Sequence, residues 1–254
     1  MPDVLVLAYH AVSGTWPAAL AIAPELLDAQ IGMLIARGYR ATTFTEAVTA
    51  PAGRKVLAVT FDDGLRSVIE RALPILARHH VPGTVFVPTA YIDRGTPVDW
   101  PVLDQWIDGP HEHELAPMSW AELRTLVAHG WEIGSHTRSH AHLPQLGDER
   151  LRNELEGSRR DCEERLGISC RSIAYPYGDV DRRVASAADR AGYLAGAALP
   201  ARIHRGERLR WPRVGIWRTD PASIFPVKAS RLRRRLLDFP TGEMKWIPRW
   251  RLTS

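Results

Sequence analysis

The sequence predicts an α/β fold in a single domain: a largely parallel sheet or barrel with helices outside. Three observations carry that expectation. Apolar stretches of strand length at residues 4–9, 56–61 and 84–87 alternate with segments of helical period, and no hairpin signal joins them. Polar residues follow directly on such stretches, in TFDDG ending at Gly64 and SHTRSH ending at His140, where parallel α/β folds carry their functional loops. The chain has 254 residues, 45% of them hydrophobic, enough for one core, and neither a repeat nor a linker divides it.

In chain order, residues 4–9 read as a buried strand that ends at His10. Pro24 suits a first helical position, and Leu26, Leu27, Ile31, Leu34 and Ile35 line a helix face that stops at Gly38. The strand at 56–61 leads through Asp62-Asp63-Gly64 into a helix over about 66–79, and a short strand follows at 84–87. Periodicity then dissolves over residues 93–117, a length expected of a lid or binding loop. Ser119 and Glu122 make a capping box for a helix reaching His129, and Gly130 stops it. A strand at 132–134 runs into SHTRSH. A helix over about 148–166, closed by Gly167, precedes a strand at 172–174 and the turn YPYGD. A helix at 180–191, a strand at 193–198 and a last strand within 210–217 complete the pattern.

Composition narrows the partners. The net charge is +4 because 33 basic residues are offset by 29 acidic ones, a bias too mild for a nucleic-acid surface. Cys162 and Cys170 lack metal-type spacing and read as reduced, buried thiols. The amino terminus has no basic region ahead of its apolar run, and no run approaches the ~20 residues of a membrane span, so a cytoplasmic location is expected. The barrel is expected over 1–220, with a basic extension at 221–254. That tail interleaves Lys245, Arg249 and Arg251 with Trp246 and Trp250. It reads as a solvated face, or as a patch contacting an anionic membrane or a lipid-linked substrate.

Two adjacent carboxylates at a strand end diverge on a regular strand, but a turn at Gly64 can aim both into one mouth. Asp62 could then serve as a base while Asp63 binds a metal; the plain alternative is that the pair caps the following helix. His136 and His140 follow another strand, and on a helical turn their spacing puts both rings on one face. Two imidazoles and a carboxylate leave positions open on a divalent ion.

TFDDG, SHTRSH and AYPYGD, in this order, resemble the polysaccharide deacetylases, the NodB-homology or carbohydrate esterase family 4 proteins, over about residues 4–217. The resemblance implies a distorted (β/α)7 barrel that hydrolyses N-acetyl groups, less often O-acetyl groups, on a sugar, glycan or glycan precursor. It implies Asp62 as base and Asp63, His136 and His140 as ligands of a metal, usually zinc, with cobalt, nickel or manganese in some members. Tyr177 matches the position whose backbone N–H helps hold the oxyanion. Two departures matter. Ala174 and Tyr175 stand where the commoner motif begins with arginine, so Arg213 is assigned to tune Asp62. The late Leu-x-His motif is missing. A branch resembling poly-N-acetylglucosamine deacetylases has an early Tyr-His and a YPYG turn, which makes His10 the expected acid; otherwise it is a satisfied core histidine.

The remaining candidates carry less. His204 reads as surface, and His79, His80 and His129 as helix-end residues. His111, His113 and His142 could line the mouth, with a solvated loop as the plainer reading. Trp100, Trp106 and Trp120 are sugar platforms or ordinary packing. The rival functions are an O-acetyl esterase, another amide or imide hydrolase, or an inactive carbohydrate-binding protein. Oligomeric state is left open.

Overall fold

The computed structural model describes residues 2–199, 207–220 and 222–232. Its first strand, β1 (Asp3–Tyr9), continues into the two-residue β2 (Ala11–Val12), which pairs with β3 (Ala21–Ile22). Helix α1 (Pro24–Ala36) starts at the expected proline and buries Leu27, Ile31 and Leu34. Then come β4 (Arg40–Ala41), α2 (Phe44–Thr49) and β5 (Lys55–Phe61). The helix expected at 66–79 begins as a wide π turn, Val68–Ala72, before tightening into α3 (Leu73–Arg78). Strand β6 (Gly83–Val87) follows, and α4 (Trp120–Ala128) carries the predicted capping box between Ser119 and Glu122. After β7 (Glu132–Ser135), α5 (Asp148–Arg152) and α6 (Ser158–Leu166) are joined by a π turn over Asn153–Gly157 and end at left-handed Gly167. The chain proceeds through β8 (Ser172–Ala174), α7 (Arg182–Arg190), β9 (Ala195–Ala198), β10 (Trp211–Pro212), β11 (Val214–Gly215) and α8 (Phe225–Lys228).

All strand pairs of the main sheet are parallel, along the path β10-β9-β8-β7-β6-β5-β1-β11, with β4 added against β5. The two ends of that path are neighbours in sequence, separated only by Arg213. Trp211 and Pro212 pair with β9, whereas Val214 and Gly215 pair with Leu7 and Ala8 of β1. One five-residue segment therefore brings both sheet edges together and nearly closes the barrel, the expected architecture.

Side chains alternate across this wall with the two-residue period of a strand. Leu5, Leu7, Leu57, Val59, Val85 and Ile133 belong to the larger core, shared with helix residues such as Leu27, Leu76 and Leu126. Their neighbours Val6, Ala58, Phe86, Ala174, Ala195 and Ala197 form a second, smaller cluster within the barrel. Phe44, Ala47 and Val48 of α2 join that inner cluster. The amide of Phe44 donates to Thr84 Oγ1 (2.9 Å), and that of Thr45 to Glu132 Oε2 (2.9 Å). Periodicity alone did not reveal α2, since six residues make too short a helical signal.

The 93–117 segment is packed rather than free, which corrects the lid expectation. Val98, Trp100, Leu103 and Leu115 share a third core with Ala11, Trp16 and Leu65. Glu114, 3% exposed, is held there by Ser13 Oγ (2.5 Å) and Arg71 (2.9 Å). Trp120 lies in the main core and is no sugar platform. Both cysteines are free and buried, as expected. Past residue 220, Phe225 and Ala229 still pack into the main core. Among the described residues no helix is long and apolar enough to cross a membrane. His204 and the tail residues Lys245, Trp246, Arg249, Trp250 and Arg251 lie outside the described residues.

Gly134 tests the barrel packing. A Cβ there would stand 2.5 Å from the Phe86 ring and 2.7 Å from Ser172 Oγ. Gly134→Ala is expected to destabilise the fold by about 1–3 kcal/mol, read as a lower urea midpoint at unchanged slope.

Candidate active site

Strands β1 and β5 run in register to Tyr9↔Phe61, and the Asp62 amide extends the ladder by donating to Tyr9 O (2.9 Å). The next residues on each strand, His10 and Asp62, are therefore side by side and share the parity of Val6 and Ala58. Their Nε2 and Oδ2 atoms are 3.9 Å apart. Arg213, at the barrel seam and 1% exposed, grips both Asp62 oxygens: Nη1 to Oδ1 at 2.6 Å and Nη2 to Oδ2 at 2.7 Å. Nη1 also donates to Thr60 Oγ1 (3.0 Å), and the guanidinium lies over the Phe86 ring. Burial raises the Asp62 pKa, but the charge and hydrogen bonds of Arg213, with His136 and His10 adding, hold it below the ordinary value. His10 is shifted down, chiefly by burial and against the pull of Asp63 and Asp62.

Asp63 leaves the strand in the left-handed region (φ 70°), followed by Gly64 (φ 62°). This double turn carries Asp63 away from Arg213 and toward the histidines. His136 continues β7: its amide donates to Val87 O (2.8 Å) and its Nδ1 to Ala174 O (2.8 Å), which leaves Nε2 facing Asp63 Oδ1 at 3.5 Å. His140 Nε2 lies 3.4 Å from the same oxygen. The two histidines do not share a helix, contrary to the helical-turn expectation; Thr137 (φ 66°) and His140 (φ 58°) are left-handed. Glu154 holds this loop, accepting from the amides of Arg138 (2.8 Å) and Ser139 (2.9 Å) and from Ser139 Oγ (2.6 Å). Thr137 Oγ1 accepts from the His140 amide (3.0 Å).

One ligand atom from each of Asp63, His136 and His140 lies within 4.8 Å of the others, and all three residues are buried. The donor set fits a divalent ion. His136 has its second nitrogen committed to a carbonyl, which sets the tautomer a ligand needs. Burial lowers the His140 pKa to about 4, so that ring is neutral and able to ligate near neutral pH. For Asp63, burial opposes ionisation, but hydrogen bonds to both imidazoles keep the carboxyl well below its usual range.

Tyr177 also has a left-handed backbone (φ 61°). Its ring meets His140 edge-on at 4.7 Å and stacks on His142 at 3.8 Å, which favours the mouth over the solvated loop among the two readings of His142. Trp100 stacks on His140 (4.0 Å). Trp217, which no motif pointed to, stacks on His10 at 5.3 Å. Trp106 packs edge-on against Trp16. His79 hydrogen-bonds Asp28 (2.8 Å) and His129 the carbonyl of Thr125 (2.8 Å), the structural parts expected of them.

A barrel whose mouth gathers one arginine-bound carboxylate and an Asp-His-His set belongs to a definable class, and comparison with known proteins names it. The polysaccharide deacetylase family model matches residues 49–196, more than half of the chain, and the chain belongs to that family. It is 29% identical over 149 residues to a chitooligosaccharide deacetylase from Sinorhizobium fredii, covering 56% of each chain. It is 25% identical over 150 residues to a poly-beta-1,6-N-acetyl-D-glucosamine N-deacetylase from Staphylococcus aureus, covering 56% of this chain and 47% of that one. It thus spans about half the length of these curated relatives. The crystal structure of a polysaccharide deacetylase from Bacillus cereus superposes with a TM-score of 0.73 at 26% identity, over 90% of this chain and 69% of the other.

Glu154 gives this site a measurable signature. Glu154→Ala removes the acceptor of the partly buried Arg138 and Ser139 amides, and a loss of about 1–2 kcal/mol in unfolding free energy is expected by denaturant titration.

Proposed function

We propose that this chain is a metal-dependent hydrolase that removes N-acetyl groups from an acetylated sugar, glycan or glycan precursor. The observation that carries the reading is the pairing of two neighbouring carboxylates with different partners. Asp62 is bound by Arg213, and Asp63 faces two imidazoles. Family membership and the relatives' names support the acetylated-glycan class.

A divalent ion held by Asp63, His136 and His140, zinc in the first instance, supplies Lewis-acid polarisation of the acetyl carbonyl and acidifies a nearby water. The protein's own groups handle the protons. Asp62, kept ionised by Arg213, takes a proton as water attacks the carbonyl carbon. The guanidinium occupies both carboxylate oxygens, which fixes the carboxylate's plane, and Oδ2 is the oxygen nearer His10. The Tyr177 N–H is assigned to the developing oxyanion. His10 delivers a proton to the sugar nitrogen as the C–N bond breaks, leaving the free amine and acetate. Because His10 Nε2 is 3.9 Å from Asp62 Oδ2, the proton taken by Asp62 can recharge an imidazole that burial keeps neutral between turnovers.

The test is acetate release from N-acetylglucosamine oligomers by metal-stripped protein before and after reloading with zinc or cobalt. Release is expected only after reloading, and Asp62→Asn is expected to lower kcat by roughly 10²–10⁴-fold. Release that survives both chelation and Asp62→Asn sinks the reading. A second outcome concerns pH. Asp62 acts when ionised, so activity rises with pH through its pKa, and Arg213 holds that pKa down. Arg213→Gln is expected to move the acidic limb of the kcat/KM profile to higher pH; an unmoved limb removes Arg213 from the tuning role.

A further inference from the structure

The two histidines facing Asp63 are fixed in different ways. His136 is tied at both ring nitrogens, Nδ1 to Ala174 O at 2.8 Å and Nε2 toward Asp63. His140 has only one such tie. Its Nε2 faces Asp63, but its Nδ1 is buried with no hydrogen-bond partner among the described residues. Histidine ligands are normally oriented by a hydrogen bond at the second nitrogen. Without that bond, the broad torsion about the ring's attachment leaves orientation to packing.

The packing is specific. The Trp100 indole lies parallel to the His140 imidazole, with centroids 4.0 Å apart and planes 11° from parallel. Tyr177 and His136 meet the same ring only edge-on, at 72° and 69°. A parallel plate at this distance opposes rotation of the imidazole about its own attachment, because the turning edge would enter the indole. Trp100 is itself immobilised: it is 7% exposed, meets Tyr91 edge-on at 5.1 Å, and sits in the third core with Trp16, Val98 and Leu103. Tyr91 in turn hydrogen-bonds Asp99 (2.7 Å). With one face on His140 and so little surface exposed, the indole has no open face for a sugar ring.

We propose that Trp100 is a positioning residue, whose stacked indole replaces the missing hydrogen bond and aims His140 Nε2 at the ion shared with Asp63 and His136. The packed 93–117 segment thereby becomes part of the metal site's support. This inference rests on the reading that those three residues hold a divalent ion.

The test compares the full chain with Trp100→Leu and Trp100→Phe. Two properties are measured: zinc affinity by competition with a chromogenic chelator, and the visible absorption spectrum of the cobalt-loaded protein. Trp100→Leu is expected to weaken zinc at least tenfold and to alter the cobalt spectrum, and Trp100→Phe, which keeps a stacked face, to restore most of both. A residue that only stabilised the segment would lower the unfolding midpoint and leave affinity and spectrum unchanged in the folded protein. A sugar platform would raise KM at wild-type zinc affinity. Either result overturns the proposal. If Trp100→Leu does not fold, Tyr91→Leu decides, since it removes the edge that holds the indole; a wild-type zinc affinity in that variant also overturns it. Wild-type protein that holds no zinc at all, or holds it equally well as Asp63→Asn, rejects the metal-site reading and this inference together. Normal wild-type binding with an unaffected Trp100→Leu rejects this inference alone.

Discussion

Closing a parallel sheet on a five-residue segment leaves one residue between two strand pairings, and here that residue is Arg213. Its amide donates to Ala198 O on β9 (3.1 Å), its successor Val214 pairs with Leu7 on β1, and its guanidinium reaches both oxygens of Asp62 on β5. Three strands thus meet around one residue. A buried ion pair is weak evidence for stability, because desolvating two charges offsets most of their attraction. This one is bidentate and further satisfied by Thr60, and losing either partner strands the other charge in the interior. Its main consequence is therefore positional: the residue at the seam where the backbone closes the barrel also orients Asp62.

Around that fixed point the mouth is built from uncommon backbone. Asp63, Thr137, His140 and Tyr177 all have positive φ, and Thr137 is β-branched, for which this region is a true outlier. Such conformations cost of order 1–3 kcal/mol each and persist only where the surroundings over-determine them. The surroundings here do so. Glu154 takes the amides of Arg138 and Ser139, Thr89 and Ala90 donate to the carbonyls of Thr137 and Arg138, and the Ser135 hydroxyl takes the Thr137 amide. Strain at the mouth is balanced by hydrogen bonds from the turn after β6, from the end of β7 and from the π turn preceding α6.

Much of this was legible in the sequence, and the exceptions have physical causes. The strands could be read because both faces are apolar, and the residues after them because polar groups at a strand end need a reason. Asp62, Asp63, His136 and His140 converge, and Arg213 reaches Asp62 across 151 positions of sequence, as the absence of a motif arginine suggested. The helical reading of the His pair failed, since identical spacing arises from a strained loop when a distant carboxylate, Glu154, takes its amides. The lid reading of 93–117 failed because its anchors, Trp100, Leu103 and Leu115, lie at no regular period, and their partners Ala11 and Trp16 are far away in sequence. Trp217 went unread because ring stacking on His10 has no local signature, and His142 was left between mouth and solvated loop because its partner Tyr177 belongs to another turn.

The division of labour proposed for Asp62 and Asp63 follows from the cations that already face each of them. Strand parity points Asp62 inward, where a permanently charged guanidinium already occupies both oxygens in the carboxylate plane. A divalent ion placed there would stand against that guanidinium, whose like charge disfavours a second cation. Asp63, one residue later and turned by its left-handed backbone, faces only imidazoles, which surrender protons readily enough to ligate. The same one-residue step that separates inside from outside on a strand thus separates the arginine-bound carboxylate from the one that faces two imidazoles. His10 needs no place in that sequence neighbourhood. Register between β1 and β5 delivers it to Asp62 from the beginning of the chain, so the His10–Asp62 pairing is set by strand adjacency rather than by motif order.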